Sequence, residues 1–139
     1  MPRPTKIRAG SWVAIFAPLL VFSMLDVVRG VLRPRFGTAE HGLTSGILGW
    51  LPNYLAGLGF VLLVIATLSL VDALGGLPVL TRYRGWLIGF AAVASAAGLC
   101  AWELAQLEGN LVFDVADIWA SIGGATTGWL IAFARRDKS

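Results

Sequence analysis

At 139 residues, 57% apolar and 14% charged, with a mean hydropathy of +0.76, the chain is no ordinary soluble domain. Such domains carry about 25% charged residues, and one this short could not hide so much apolar surface in a single core. A net charge of +3 and a pI near 9.6 would point to nucleic acid in a soluble protein, but here the basic residues border apolar runs and the reading is an integral membrane protein without a nucleic-acid partner.

A bilayer core needs about 20 mostly apolar residues per helix. In chain order, residues 12–32, 51–71, 86–107 and 112–133 meet that requirement. The first has a basic start and an apolar stretch, as a signal peptide does. No small-x-small cleavage site closes it and Asp26 and Arg29 come directly after, so it reads as a span. Residues 42–50 read as a loop, as do residues 72–84, which contain Gly75-Gly76 and Pro78. Pro52-Asn53 reads as a start signal for the second span. The third and fourth spans are joined by a short link around Glu108-Gly109-Asn110, so they must be adjacent and antiparallel. The single cysteine, Cys100, has no internal disulfide partner and no metal-ligand spacing. The expected fold is an all-α membrane protein, four transmembrane helices in one bundle that forms a single domain over residues 1–139.

Arg3, Lys6, Arg8, Arg82, Arg84, Arg135, Arg136 and Lys138 fall on one side of that arrangement, and Arg29, Arg33 and Arg35 on the other. The positive-inside rule then puts both termini in the cytoplasm. Trp12, Trp86 and Trp129 fall at the inner level and Trp50, Trp102 and Trp119 at the outer, as two aromatic belts should.

With that orientation the polar groups collect on the outward side of every span. Asp26 and Arg29 lie on the first, Asn53 on the second, Glu103 and Gln106 on the third, Asp114 and Asp117 on the fourth. Asp26, Arg29 and Arg33 recur at helical offsets of 0, 3 and 7. On the fourth span Asp114, Asp117, Ser121, Gly124 and Gly128 form one seam at offsets 0, 3, 7, 10 and 14. Small residues let helices approach closely in lipid, and Gly89, Ala91, Ala94, Ala97 and Gly98 offer the same on the third span. A charge at membrane depth costs at least about 2.5 kcal/mol. An outward-opening polar cavity is therefore expected, with Glu103, Gln106, Asp114 and Asp117 as one wall and Asp26 and Arg29 as another.

Each group also has a plainer explanation. Asp26 and Arg29 can neutralise each other one turn apart, Asp114 can serve the start of its helix, His41 reads as a solvated loop residue, and the glycines as packing. Glu103, Gln106, Asp117 and Ser121 are less easily explained away. Two carboxylates close together in low dielectric call for Arg29 to reach across, for a cation, or for a retained proton. An oxygen-only donor set around Glu103 and Asp117 would suit Mg2+ or Ca2+ and not zinc; no other cofactor is indicated.

The stretch Trp102-Glu103-Leu104-Ala105-Gln106, then Phe113-Asp114-Val115-Ala116-Asp117, then Gly124 and Gly128 resembles the closing part of the VanZ-like family of small bacterial membrane proteins. The resemblance covers roughly the last quarter of the chain. Leu111 stands where the family commonly has Arg, Ser121 where it often has Asn, and Trp50-Leu51-Pro52-Asn53 where it has an Asp-Lys-x-x-His-like element. The resemblance implies a divergent member in the bacterial inner membrane, acting near the outer leaflet of the cell envelope, in a family whose named representative is linked to resistance to the glycopeptide teicoplanin.

No Ser-His-Asp set, phosphate loop, His/Cys cluster or redox motif is visible, so an enzyme is the less favoured class. The leading expectation is a cavity that binds a polar or cationic group of a membrane lipid, a cell-wall precursor or a peptide amine. Glu103 and Asp117 would make the charge-assisted contacts, Gln106 and Asn53 would orient, and Arg29 would engage phosphate. The alternatives are a small ion- or proton-coupled transporter, homo-oligomeric or not, and a non-catalytic subunit of a membrane complex.

Overall fold

The computed structural model describes residues 9–37, 42–106 and 114–136. Nearly all of this backbone is helical: α1 (Ala9–Val27), a π-helical segment (Val28–Leu32), the short α2 (Arg33–Phe36), α3 (Leu43–Ala73), α4 (Pro78–Gln106) and α5 (Val115–Arg136). Three stretches are long and apolar enough to cross a membrane: Trp12–Phe36, which runs unbroken from α1 through α2, Leu43–Ala73 and Arg82–Ala105. The 22-residue α5 would extend about 33 Å. It is less apolar than the others because Asp117, Ser121, Thr126, Thr127 and three glycines occupy so much of it.

The helices are longer than the apolar runs, and both expected loops shrink. Residues 43–50 form the first turns of α3 rather than a loop, so Pro52 lies inside that helix and does not start it. Proline removes one N–H and frees one carbonyl, a loss that membrane helices tolerate, and Leu48, Pro52 and Leu55 are all buried on the same side. The expected loop of residues 72–84 contracts to residues 74–77, with Gly75 and Gly76 at φ of +118° and +65°. Those angles favour glycine, and Pro78 opens α4 at a position where its missing N–H is no loss. Arg82 and Arg84 consequently ride on the first turns of α4.

Helix α3 is the hub. It touches α1, α4 and α5, and among the described residues its contact with α5 is the most extensive. Half of its most apolar stretch is buried, against 11% for α4. Helix α1 packs antiparallel on α3, with Phe22 over Gly59 and edge-on to Phe60 at 5.7 Å between ring centroids. The core is built from Ala14, Val61, Leu62, Ile65, Leu68, Ile88, Ala125 and Ala132, with a second cluster of Leu25, Val28, Leu48, Leu55 and Ala56 between the first helix and α3.

Large apolar side chains meanwhile cover the outside: Leu20 is 66% exposed, Phe90 73% and Trp86 81%. A surface like this belongs in hydrocarbon. Trp12, Trp102, Trp119 and Trp129 are also exposed, as interfacial tryptophans are.

Candidate functional site

Close approach of α3 and α5 fixes the site. A Cβ on Gly57 would meet the Ser121 carbonyl oxygen at 2.5 Å, one on Gly124 would land on the Tyr54 carbonyl oxygen, and one on Gly128 would stand 2.7 Å from the Val61 Cβ. The contacts advance together along both helices, so α3 and α5 run parallel and side by side. The Tyr54 hydroxyl donates to Thr127 Oγ1 at 3.0 Å, and Thr127 in turn donates to the Gly123 carbonyl. One turn before Gly57 stands Asn53, and one turn before Ser121 stands Asp117. The glycine register therefore carries these two polar residues to the same level.

Asn53 joins three helices. Its Nδ2 donates to Glu103 Oε1 of α4 at 3.2 Å, and the same amide lies against the Asp117 carboxylate of α5. Asp114 and Arg33 are the other charged neighbours of Asp117. Glu103 is only 4% exposed, and its second oxygen, Oε2, is buried with no hydrogen-bond partner among the described residues. A buried polar atom left unpaired costs about 1–3 kcal/mol, which sets Glu103 apart from an ordinary helix residue.

The other expected site residues take different places. Asp114 caps α5: its Oδ1 accepts the Ala116 N–H at 2.8 Å. Ser121 is fully buried and its hydroxyl donates back to the Asp117 carbonyl at 2.9 Å, so it serves the α3–α5 contact. Gln106 is the last residue of α4, one turn beyond Glu103. His41, Phe113, Leu111, Glu108 and Asn110 lie outside the described residues.

Asp26 and Arg29 are exposed on the first helix. Neither pairs with the other, since the ion pair among the described residues is Arg84–Asp72. The even spacing of Asp26, Arg29 and Arg33 assumed an uninterrupted α-helix. The π-helical segment Val28–Leu32, which contains Arg29 and ends just before Arg33, bonds i→i+5, turns less per residue and shifts the helical phase of Arg33 and the residues beyond it. Arg33, not Arg29, is the arginine whose charge acts on Asp117.

Two further features escaped the sequence. Helix α4 is pinned at both ends by polar contacts: Glu103 to Asn53 at one, and Arg84 to Asp72 and to Ser69 Oγ at the other. Between the pins it meets the core through Ile88, Leu87, Ala92 and Ala96 and leaves grooves open along its flanks. An apolar groove of ≈ 820 Å³ separates it from α5, and one of ≈ 510 Å³ separates it from α3. Gly89, Ala91, Ala94 and Ala97 of α4 line these grooves instead of closing them: a Cβ on Gly89 would meet only Trp129 Nε1 at 3.9 Å, and one on Gly98, which lines neither groove, would meet nothing within 4 Å. Among the described residues no three His, Cys, Asp or Glu side chains converge as a metal site would require. A cation held by Glu103 and Asp117 would therefore need amide, backbone or water oxygens for the rest of its shell.

No protein-family model, curated protein or solved structure matches this chain.

Proposed function

We propose that this is a four-span, VanZ-like protein of the bacterial inner membrane, with both termini in the cytoplasm, which binds a polar or cationic lipid or envelope-precursor headgroup near the outer leaflet. The observation that carries the reading is the buried Glu103 carboxylate, held through one oxygen by Asn53 and unpartnered among the described residues at the other. The same Asn53 amide also lies against Asp117, and Arg33 is a charged neighbour of Asp117, so both signs of charge are brought to the group that Asn53 joins. A headgroup ammonium would find carboxylate there and a phosphate would find guanidinium. Four spans are supported by the parallel packing of α5 along α3, which gives the two helices a common depth. The charge distribution of Arg and Lys supports the orientation.

The test is thermal unfolding in detergent of wild type and Asp117→Asn, each with EDTA, with Mg2+ or Ca2+, and with a panel of envelope lipids. The expected result is a ligand-dependent rise in melting temperature for wild type that Asp117→Asn lacks, while the variant alone melts no lower. A variant that melts far lower, with neither protein responding to any addition, would make the acidic group a purely structural joint. A rise given by the divalent ion alone would replace the headgroup by a metal.

A further inference from the structure

The larger apolar groove and the buried Glu103 carboxylate lie along one stripe of α4. On α4 the groove is lined by Gly89, Val93, Ala96 and Cys100, which succeed one another at offsets of 0, 4, 7 and 11 and so form a single stripe. The next residue on that stripe, at offset 14, is Glu103. From Gly89 to Cys100 the helix rises about 16 Å, close to half of the roughly 30 Å hydrocarbon core and hence to the reach of one acyl chain in its leaflet. The opposite wall, with Ile122 and Trp129 of α5, is apolar as well. An apolar trough one leaflet long, ending one turn short of a buried carboxylate oxygen that wants a donor, is complementary to an amphiphile with a hydrogen-donating cationic head.

We propose that the α4–α5 groove holds an acyl chain of a membrane lipid whose primary-amine headgroup donates to Glu103 Oε2, phosphatidylethanolamine being the simplest lipid of that chemistry. This rests on the headgroup reading above and adds to it the chain site and the amine. A primary ammonium has N–H donors to give. A quaternary one has none, and a glycerol headgroup has no positive charge.

Native mass spectrometry of the protein released from detergent tests it. The probes are dioleoyl phosphatidylethanolamine, phosphatidylcholine and phosphatidylglycerol, which share their chains, together with soluble phosphoethanolamine. The variants are Glu103→Gln and Ala97→Phe, the latter filling the groove from an exposed position. Wild type should retain the ethanolamine lipid roughly tenfold better than the other two, the worth of one charge-assisted hydrogen bond. Glu103→Gln should erase the preference. Ala97→Phe should weaken all three lipids and leave soluble phosphoethanolamine unaffected.

Equal retention of the three lipids by wild type overturns the proposal, and that comparison decides alone if circular dichroism shows that Glu103→Gln does not fold. A preference that survives in a folded Glu103→Gln overturns both the proposal and the headgroup reading. Loss of the preference in Glu103→Gln with undiminished lipid retention in Ala97→Phe keeps the headgroup and removes the chain from the groove. A dimer that Ala97→Phe dissociates, with no lipid preference, would assign the groove to a second copy of this chain.

Discussion

Asn53 is the residue on which the polar site turns, because one short side chain serves helices α4 and α5 at once. Removing its partner should therefore cost more than removing a charge. Glu103→Ala takes from the half-buried Asn53 amide the acceptor on α4 and should destabilise the protein by about 1–3 kcal/mol. Glu103→Gln keeps an acceptor oxygen in place and should stay near wild type. In a double-mutant cycle Asn53→Ala and Glu103→Ala should fall short of additivity by at least roughly 0.5 kcal/mol, measured by denaturant unfolding in micelles; strict additivity would mean that the contact contributes nothing. Asp26→Ala and Arg29→Ala, by contrast, alter exposed side chains that do not pair with each other and should each shift stability by no more than about 0.5 kcal/mol. The sequence pattern made Glu103 and Asp117 legible, since helical spacing and hydropathy are local properties. It could not choose between Arg29 and Arg33, because that choice depends on a change of helical phase in the π segment that no periodicity in the side chains announces.

At the scale of elements, the glycines of α5 and those of α4 behave oppositely, although both looked like packing devices. Gly124 and Gly128 meet α3 backbone or side chain directly, whereas Gly98 meets nothing. Gly124→Ala must push α5 away from the Tyr54 carbonyl and should destabilise by about 1–3 kcal/mol, in the range of overpacked cores. Gly98→Ala fills open space inside a helix and should stabilise by up to about 1 kcal/mol. Thermal unfolding of the two variants side by side reads the difference in sign, and a loss in both would mean that α4 packs as tightly as α5. Small-residue spacing reveals that a helix can approach another closely. Only the three-dimensional register shows which one does, and here the α3–α5 contact took that role and left α4 pinned by its ends. The loops were misjudged for a related reason: Pro52 and the residues before it look like a break in isolation, yet α3 continues through them because Leu48 and Leu55 bury on the same side.

For the whole molecule, the decisive question is whether α5 crosses the membrane beside α3. Its Ser, Thr and Gly content lowers its apolarity below that of the three stretches long and apolar enough to cross, yet its small residues are what let it lie parallel to α3 along Gly57, Tyr54 and Val61. If α3 spans, a helix held parallel to it in this register shares its depth, and the Ser121 and Thr127 hydroxyls of α5 are satisfied within the protein, as lipid surroundings demand. Single cysteines in a Cys100→Ala background test this directly. Leu43→Cys and Leu74→Cys sit at 88% and 79% exposed positions flanking α3, and Ala134→Cys is exposed near the end of α5. With a membrane-impermeant maleimide on intact spheroplasts, Leu43→Cys should label, whereas Leu74→Cys and Ala134→Cys should label only after permeabilisation. Labelling of Ala134→Cys from outside while Leu74→Cys stays protected would place the end of α5 across the membrane from the end of α3. The parallel pair could not then span together, and the polar site of Asn53, Glu103 and Asp117 would lose the common depth on which its reading as a headgroup site depends.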